Sequence, residues 1–342
     1  MKVALHKKGN FNKYWIEHFD KINIPFDSVD CFDTGIIQIL REKKITHLLW
    51  NWNHIDYRAM SFAFGITKAI EKMGIIVYPS SESAYHFDNK VFQKYLFEAC
   101  DSPLVKSYVF YHKKDALEWA YNTSFPKVFK LKGGAGSTNV QIVKRKSHAI
   151  RLIKKSFGSG FERMNRREFF MDRVRALKMN KDFISFLKLI KGLLEFFQKT
   201  IIDKNLGIEK GYCYFQDFIP NNDSDIRIIL IGEKAFGIKR YVKDNDFRAS
   251  GSGKISHDPK DIDLECIKLS FKIRKQIQGS LVCAFDFVFD NCDPRVVEIS
   301  NNFGPEGYLD CPGYWDENLN FHKEFMPLPN YIANDLIKQT DS

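Results

Sequence analysis

The chain has 342 residues, 44% of them hydrophobic, and a formal net charge of +10. Its first residues, MKVALHKKGN, lack the apolar core of a signal peptide, and its longest apolar runs are strand-sized, so we expect a cytoplasmic protein without a membrane span. Seven cysteines without a C-x-x-C spacing predict neither a disulfide framework nor a zinc site. The length predicts two or three domains.

The first 85 residues alternate buried strands with helices. Apolar runs at 2–5, 45–50 and 75–78 predict strands, and the pattern over 57–73 predicts a helix that ends at Gly74. We therefore expect a small α/β domain with a parallel sheet.

An α+β region follows this domain. Asp88 is the predicted N-cap of a helix that ends before Pro103. The apolar residues expected on its buried face are Val91, Phe92, Tyr95, Leu96 and Ala99. A strand at 105–111 and a helix at about 115–121 are predicted next.

A glycine-rich stretch, FPKVFKLKGGAGSTNVQIVKR, covers residues 125–145. Glycine loops let backbone amides approach a phosphate closely. A P-loop is disfavoured because Lys130 and Lys132 precede the glycines, and a dinucleotide fingerprint is disfavoured because Asn139 stands where its third glycine is required. The remaining interpretations are a strand, a phosphate-covering loop and a second strand, or an ordinary glycine-rich hairpin.

A basic, largely helical segment is predicted at 147–210. Much of the positive charge is nearby, because residues 144–181 contain 13 Lys or Arg residues against three acidic ones. No nucleic-acid motif accompanies this charge, so we expect no specific nucleic-acid partner. Apolar residues at helical spacing over 183–197 favour a helix that packs on its own protein. The alternative is a basic amphipathic surface for an anionic membrane or a lipid-linked glycan.

The remaining residues are dominated by strand patterns. Strands are predicted at 212–219, 225–231 and 234–242, a helix at about 263–278, and a helix or tail beyond Pro327. The tight turn Gly232-Glu233 joins two of the strands.

Two carboxylates lie in a hairpin predicted from LVCAFDFVFD and RVVEIS. With a five-residue loop at 290–294, Phe289 pairs with Arg295, and Asp286 lies opposite Glu298 on the same face. Opposed carboxylates within apolar strands need a cation or a shared proton, and oxygen ligands of this kind suit Mg²⁺ bound together with phosphate oxygens. The alternative is a pair of surface acids on an exposed sheet face.

The glycine loop, the strand lysine and the carboxylate pair together imply a nucleoside triphosphate. In this order, over about residues 86–307, the motifs resemble the ATP-grasp superfamily, most closely its ribosomal-protein glutamate ligase branch and more distantly D-alanine:D-alanine ligase. The resemblance implies an ATP-grasp fold of mixed α/β and α+β class. Its parts would be an N-terminal parallel α/β domain at 1–85, a central subdomain at 86–215 with a glycine-rich lid and the basic insert, and a C-terminal antiparallel subdomain at 216–330 with the metal ligands.

The resemblance assigns residues to ATP. Lys90, in FDNK, and Lys130 match the family's two phosphate-binding lysines. The loop residues that would cover the phosphates are Gly133, Gly134, Gly136 and Ser137. The segment that would hold adenine is Gln216, Asp217, Phe218 and Ile219, and Asp225 matches the acid that binds the ribose hydroxyls.

The resemblance also assigns catalytic and metal-binding residues. Those that match the family's basic residues toward phosphate and carboxylate substrate are Arg227, Arg240 and Arg248. Asp286 and Glu298 match its Mg²⁺ ligands. The family usually has Asn two residues after this Glu, but here that position is Ser300, so Asn301 is the candidate third ligand.

The sequence therefore predicts an enzyme that phosphorylates a carboxylate with ATP and passes the acyl group to an amine or a thiol, giving ADP and phosphate. ATP and Mg²⁺ are the expected cofactors, with Mn²⁺ as the alternative metal. The expected partners are a small-molecule carboxylate and amine, and the basic aromatic insert suggests a glycan precursor. Two rival interpretations remain: a small-molecule or sugar kinase of the same fold, and a non-catalytic protein that binds an anionic glycan, lipid or nucleic acid.

Overall fold

The computed structural model describes residues 1–54, 56–133, 139–163, 174, 201–242, 254–277 and 280–339. The chain forms two compact units. One combines residues 1–105 with 219–342, and the other comprises residues 106–218. The division at residues 85 and 215 expected from the sequence stays a prediction. Within the described parts of the chain, no helix is long and apolar enough to cross a membrane.

Some sequence predictions fall outside the described residues. These are the apolar helical pattern at 183–197, the loop residues Gly134, Gly136 and Ser137, and the arginine Arg248.

The larger unit begins with a parallel sheet. Its strands are β1 (Val3–His6), β2 (Phe26–Val29), β3 (His47–Leu49) and β4 (Ile76–Tyr78), in the spatial order β2-β1-β3-β4. Its helices are α1 (Asn12–Lys21), α2 (Ile36–Glu42) and α3 (Phe64–Glu71), the last preceded by a π-helical turn at Ala59–Ala63. The three predicted strands and the helix predicted at 57–73 are confirmed, and every residue of β1 is buried, as expected for a central parallel strand.

The N-cap predicted at Asp88 is wrong. After the short helix α4 (Ser81–Ala84), helix α5 (Lys90–Ala99) begins with Asn89 as its N-cap. The Asn89 side chain accepts a hydrogen bond from the Phe92 backbone N–H at 3.2 Å. Asp88 instead has a left-handed backbone with φ of 48°, so it lies one residue before the cap.

The buried face predicted for α5 is wrong in part, since Val91 is buried but other predicted residues are not. Phe92 and Tyr95 are 48% and 44% exposed, whereas Lys90, Gln93 and Phe97 are buried. Both sets of residues have helical spacing, so periodicity alone does not select between them. Phe97 packs in the apolar core of the unit, and this orientation carries Lys90 into the interior.

The unit of residues 106–218 contains an antiparallel sheet in the order β5-β10-β6-β7. The strands of this unit are β5 (Ser107–Phe110), β6 (Lys127–Lys130), β7 (Gln141–Val143), β8 (Phe161–Glu162), β9 (Ile208–Glu209) and β10 (Cys213–Asp217). Its helices are α6 (Lys113–Asn122), α7 (Lys146–Ser156) and α8 (Ile201–Leu206). β8 and β9 form a separate two-stranded sheet. The two strands predicted within 125–145 are confirmed, since β6 and β7 pair directly. The choice between a phosphate-covering loop and an ordinary hairpin stays open, because residues 134–138 lie outside the described residues.

One face of this sheet is apolar and the other is polar. Phe129 and Phe215 pack against Ala120 and Ile153 of the two long helices. Because side chains alternate along a strand, the neighbours Lys130 and Gln216 lie on the opposite face. The helices α6 and α7 therefore pack on the apolar face of the sheet.

An antiparallel sheet forms the second half of the larger unit. Its strands are β11 (Ser224–Ile231), β12 (Lys234–Tyr241), β13 (Ile255–Ser256), β14 (Val282–Asp290), β15 (Asp293–Ser300), β16 (Tyr314–Trp315) and β17 (Phe321–His322). They are ordered β15-β14-β11-β12-β16-β17, with β13 beside β12. Helices α9 (Leu264–Gln276) and α10 (Leu328–Ile337) match the predicted helices, and the turn at Gly232-Glu233 is confirmed.

Alternation along β11 explains how this sheet is covered. Ile228 and Leu230 pack in one core with α9, whereas Ile229 and Ile231 pack in a second core with α10 and the parallel sheet. The face that carries Ile229 continues along the strand to Arg227 and then Asp225. The same face therefore changes from apolar to charged along one strand.

The carboxylate hairpin has the predicted pair but not the predicted loop. Asp286 lies opposite Glu298, as expected. The turn contains only Asn291 and Cys292, so Phe289 pairs with Pro294 rather than with Arg295. A β-bulge between the Phe287 and Asp286 pairs inserts one extra residue on β15 and restores the register. A five-residue loop and a two-residue turn with one bulge both place Asp286 opposite Glu298. The position of the acids therefore could not distinguish them, and the loop prediction was wrong.

Candidate functional site

Six charged side chains form what we call the charged row, on one face of the antiparallel sheet and the start of α5. Its members are Lys90, Asp225, Arg227, Arg240, Asp286 and Glu298, all within the larger unit. The register places Arg227 opposite Asp286, Asp286 opposite Glu298, and Arg240 opposite Asp225. The sequence predicted every member of this row.

Asp286 lies at the centre of the row. Arg227 binds it with two hydrogen bonds, from Nε to Oδ1 at 2.5 Å and from one terminal nitrogen to Oδ2 at 2.7 Å. A nitrogen of Arg240 lies 3.1 Å from Oδ2. Arg240 also donates to both oxygens of Asp225, at 2.7 and 2.6 Å. Bidentate pairs of this kind fix the planes of both groups.

The two aspartates have opposite pKa shifts although both bind Arg240. Burial raises the pKa of Asp225, and the single arginine beside it offsets only part of that effect. Burial acts in the same direction on Asp286, but the charges and hydrogen bonds of Arg227 and Arg240 outweigh it and lower the pKa of Asp286. Asp286 is therefore the more firmly ionised carboxylate of the row.

Lys90 and Glu298 form the other end of the row. Lys90 Nζ lies 3.1 Å from Glu298 Oε1, and the lysine side chain is 6% exposed whereas the glutamate side chain is 31% exposed. Burial lowers the pKa of Lys90, but the charges of Glu298 and Asp88 outweigh burial and raise it overall. A cation at the first residue of a helix is disfavoured by the helix dipole. The carboxylates therefore supply the interaction that keeps Lys90 charged there.

The charges of the row cancel. Three cations, Lys90, Arg227 and Arg240, face three carboxylates, Asp225, Asp286 and Glu298. A divalent cation that binds the carboxylates and an anion that binds the lysine and arginines would preserve this balance. The row is thus suited to bind a metal ion together with an anion, such as a metal-bound phosphate.

The oxygen atoms near the carboxylate pair fit a hard metal ion. Within the described residues, no cluster of three or more His, Cys, Asp or Glu side chains could hold a metal. The candidate donors are therefore Asp286, Glu298 and a neutral group. Ser300 Oγ accepts from Asn302 N and donates to Asn302 O, so its hydroxyl is engaged locally. Asn301 is buried, and its Nδ2 atom has no hydrogen-bond partner within the described chain.

Two residues beside the row were missed from the sequence. His54 follows β3, and its Nδ1 lies 3.9 Å from Asp88 Oδ1. Burial, and more weakly the charges of Lys90 and Arg227, lower the pKa of His54 against the effect of Asp88 and Glu298. Tyr308 has a buried hydroxyl group without a hydrogen-bond partner among the described residues. The position of His54 after a parallel strand was the only signal that the sequence offered.

The loop that contains His54 leaves the parallel sheet at a topological switch point. β2 lies on one side of β1, while β3 and β4 lie on the other, so the loops after β1 and β3 diverge. Open α/β sheets bind ligands at such points. Asn51 Nδ2 donates to Asn302 Oδ1 at 2.9 Å, and Asn302 Nδ2 donates to Trp52 O at 2.6 Å. These bonds join the switch point to the end of the strand that carries Glu298.

The smaller unit carries what we call the polar face, formed by Ser107, Lys130, Tyr214 and Gln216. Lys130 Nζ donates to Gln216 Oε1 at 2.6 Å. Gln216 Nε2 and Tyr214 OH both donate to Ser107 Oγ, at 3.0 and 2.9 Å. All four residues are buried, so the network holds the Lys130 ammonium group in one position.

The other predicted residues of this unit lie outside the polar face. Asp217 Oδ1 accepts from Lys127 Nζ at 2.6 Å, and the sequence reasoning missed this lysine. Its position three residues before Lys130 on the same strand was the available signal. Gly133 is buried after β6, and Phe218 ends the unit. Ile219 begins the second segment of the larger unit.

A protein-family model matches part of the chain. Residues 198–311 match the model of the RimK-like ATP-grasp domain. This segment contains five members of the charged row and the predicted adenine segment at 216–219, but not Lys90 or the glycine loop.

Similar sequences include two phosphoribosylamine–glycine ligases from strains of Helicobacter pylori. They are 31% and 30% identical over 137 residues, which is 38% of this chain and 31% of each relative. The chain thus matches only about a third of the length of these curated relatives.

Similar solved structures cover most of the chain. The RimK domain ATP-grasp protein from Sphaerobacter thermophilus has a TM-score of 0.56 at 12% identity and covers 98% of this chain and 100% of its own. D-alanine–D-alanine ligase from Bacillus anthracis, complexed with ATP, has a TM-score of 0.53 at 13% identity and covers 90% of each chain. Biotin carboxylase from Campylobacter jejuni has a TM-score of 0.55 at 12% identity, over 88% of this chain and 65% of its own.

Proposed function

The chain has the ATP-grasp fold, and we propose that it is an ATP-dependent ligase that joins a carboxylate to an amine, or to a thiol, through an acyl phosphate. The observation that carries the proposal is the charged row, in which three cations, two of them buried, and three carboxylates cancel one another. The RimK-like match over 198–311 supports it, since that segment holds five of the six residues.

The lysine and arginines of the row are proposed to bind the anionic groups. Lys90 and Arg227 would bind phosphate oxygens of ATP, and Arg240 would bind the carboxylate substrate or the transferred phosphoryl group. Phosphoryl transfer depends mostly on positioning and charge stabilisation, so fixed cations supply what the step requires. Arg248, outside the described residues, is proposed to assist them.

Asp286 and Glu298, with Asn301, are the residues that would hold Mg²⁺, and Mn²⁺ is the alternative metal. Carboxylate and amide oxygens suit these hard cations, and both metals accept phosphate oxygens as additional ligands. When bound, the metal would neutralise charge that develops on the phosphoryl group. The carboxylates would then exchange their contacts with Lys90 and Arg227 for contacts with the metal.

Further residues are proposed to bind the nucleotide. In the unit of residues 106–218, Lys130 and Gly133 would bind phosphates, and Gln216, Asp217 and Phe218 would bind adenine. Ile219 is proposed to pack on the base. Asp225 is proposed to accept hydrogen bonds from ribose hydroxyls. Both of its oxygens accept from Arg240, so this contact requires Arg240 to give up at least one of them.

The first step of the proposed reaction requires no acid or base residue. A carboxylate oxygen of the substrate attacks the γ-phosphorus, the bond to the bridging oxygen breaks, and ADP leaves. The amine then attacks the acyl carbon, phosphate leaves, and the amine loses a proton. The proposal includes a small-molecule carboxylate and amine as substrates, a glycan precursor as the candidate acceptor class, and a location in the cytoplasm.

Hydroxylamine trapping tests the proposal. The purified protein is incubated with ATP, Mg²⁺ and hydroxylamine across a panel of amino acids and sugar acids. We expect ADP and a hydroxamate with the correct carboxylate, and ADP release that accelerates when the correct amine is added. Release of AMP and pyrophosphate would replace the proposal with an adenylating enzyme. A stable phosphate ester on a hydroxyl group would replace it with a kinase.

A further inference from the structure

One buried carboxylate in the unit of residues 106–218 belongs to neither the charged row nor the polar face. Glu209, on β9, has a side chain that is 3% exposed. Its Oε1 lies 2.5 Å from a terminal nitrogen of Arg163, and its Oε2 accepts from Tyr212 OH at 3.0 Å and lies 3.7 Å from Lys132 Nζ. A buried carboxylate that contacts two cations and a hydroxyl group holds all three in place. If its negative charge is removed, the two cations lose their counter-charge and the hydroxyl group loses a charged acceptor.

The partners of Glu209 hold the first end of the glycine loop. The backbone N–H of Lys132 donates to Tyr212 OH at 2.6 Å, and the same hydroxyl donates to Glu209. Lys132 directly precedes Gly133, where the loop leaves the sheet. The main chain at this end is therefore tied to Glu209 through a single hydroxyl group.

The second end of the loop is tied to the same place. Asn139 Nδ2 donates to the carbonyl oxygens of Glu162 and Arg163, at 3.1 and 2.9 Å. Asn139 has a φ of 59°, a left-handed conformation that Asn tolerates better than most residues. Arg163 in turn contacts Glu209, so both ends of the loop converge on the sheet formed by β8 and β9.

The chain just before β8 approaches β9 closely. Phe161 pairs with Glu209, and Glu162 pairs with Ile208. Gly160 has a φ of 73°, and a Cβ there would lie 2.4 Å from Ile208 Cγ2 and 2.7 Å from the Glu209 carbonyl oxygen. No other residue fits this approach without displacing β9. The carboxylate that anchors the loop is thus fixed through its own backbone.

We propose that Glu209 is a positioning residue for ATP, which sets where the two ends of the glycine loop leave the sheet relative to Lys130. The inference rests on the proposed function, because it takes the ligand of the loop to be the phosphate chain of ATP. Glu209 does not contact ATP in this proposal; it acts through Lys132, Tyr212 and Asn139. Glu209 also lies near the end of the basic segment predicted at 147–210, closely after α8, and its partner Arg163 lies within that segment.

Calorimetry with two ligands tests the proposal. ATP with Mg²⁺ and adenosine are titrated separately into the wild type, Glu209→Gln and Tyr212→Phe, with the exposed Glu118→Gln as the matched control in the same unit. We expect Glu209→Gln to weaken ATP binding roughly tenfold or more, the scale of one hydrogen bond to a charged group. Adenosine binding should not change, because adenosine has no phosphate for the loop to contact. Tyr212→Phe should act in the same direction.

The outcomes separate this inference from the proposed function. Unchanged ATP affinity in a folded Glu209→Gln variant overturns the inference, and so does an equal loss for ATP and adenosine, which indicates general structural support. If Glu209→Gln does not fold, Tyr212→Phe decides, because it removes the hydroxyl group and leaves every charge in place. A wild type that binds ATP but forms no hydroxamate contradicts the proposed ligase and leaves the role of Glu209 intact.

Discussion

The charged row and the polar face hold buried cations in different ways. In the row, Lys90 and Arg227 each contact a carboxylate, and the network is made of opposite full charges. On the polar face, the amide oxygen of Gln216 orients the ammonium group of Lys130, and the amide nitrogen of Gln216 donates to the Ser107 hydroxyl group. Among the described contacts, the row thus joins groups of opposite full charge, whereas the polar face joins the ammonium group to an uncharged amide.

This difference predicts how each region responds to a substitution. Removing one carboxylate from the row leaves buried cations without compensation, which costs several kcal/mol. Removing the lysine from the polar face takes the donor away from Gln216 Oε1 but leaves the bonds of Ser107 with Tyr214 and Gln216, which should cost less. Stability should therefore be more sensitive in the row, and ligand affinity should be the clearer readout on the polar face.

The largest effect on stability is expected for Asp286→Asn. The change keeps the shape of the side chain but leaves Arg227 and Arg240 facing a neutral amide, so the free energy of unfolding should fall by about 3 to 5 kcal/mol. Urea unfolding followed by circular dichroism measures it. Asp293→Asn, at the exposed tip of the same hairpin, is the matched control and should change stability by less than about 0.5 kcal/mol. Equal, small effects would mean that the row does not depend on charge balance.

Glu298→Gln should separate function from stability. Its side chain is more exposed than that of Asp286, so the fold should tolerate the change. The loss of one proposed metal ligand should lower turnover by about two to three orders of magnitude, since the metal contributes several kcal/mol. Steady-state ADP release measures it, with the exposed Glu306→Gln as the control. Turnover that is unchanged by this substitution and by EDTA would remove Glu298 from the metal site.

The pH dependence of stability should identify Asp286 as an ionised group. Because arginine contacts lower the pKa of Asp286, its contribution is fully present above its ordinary pKa of about 4 and is lost as the pH falls below that value. The difference in unfolding free energy between wild type and Asp286→Asn should therefore be constant near neutral pH and shrink below about pH 4. Parallel pH profiles for the two proteins would contradict the lowered pKa.

The smallest effect on stability is expected for Lys130→Met. Methionine replaces the aliphatic part of the side chain, and the bonds among Ser107, Tyr214 and Gln216 persist. ATP binding should weaken by about 1.5 to 3 kcal/mol, the scale of a hydrogen bond to a charged group. Calorimetry measures it against Lys114→Met, an exposed lysine of the same unit. If ATP affinity is the same in both variants, Lys130 is not a phosphate ligand.

The resemblance to the ATP-grasp superfamily predicted the fold correctly, because it rested on the order of several motifs. The RimK-like match and the solved structures confirm it. The pairing of Asp286 with Glu298 was also predicted, although from a five-residue loop, because a two-residue turn followed by one bulge gives the same pairing. Whether these residues bind ATP and a metal stays a proposal.

Other features could not be read from the sequence, because they depend on contacts between distant segments. The face predicted for α5 was wrong in part because two sets of residues share the helical period, and only the packing of Phe97 selects between them. Lys127 and His54 were missed because their partners, Asp217 and Asp88, lie far along the chain or in a different loop. The anchoring of Lys132 by Tyr212 likewise joins residues 80 positions apart.

The bulge in the carboxylate hairpin has a consequence for how related sequences diverge. With a two-residue turn and no bulge, Asp286 would face Val297, and Glu298 would point to the other side of the sheet. A relative that lost one residue at 297 would keep its two acids opposed in a regular hairpin. A relative that lost one residue of the turn would keep the two acids opposed only if it also lost the bulge or formed a different turn. Alignments that score the spacing between these acids as fixed would therefore miss true counterparts that differ by one residue.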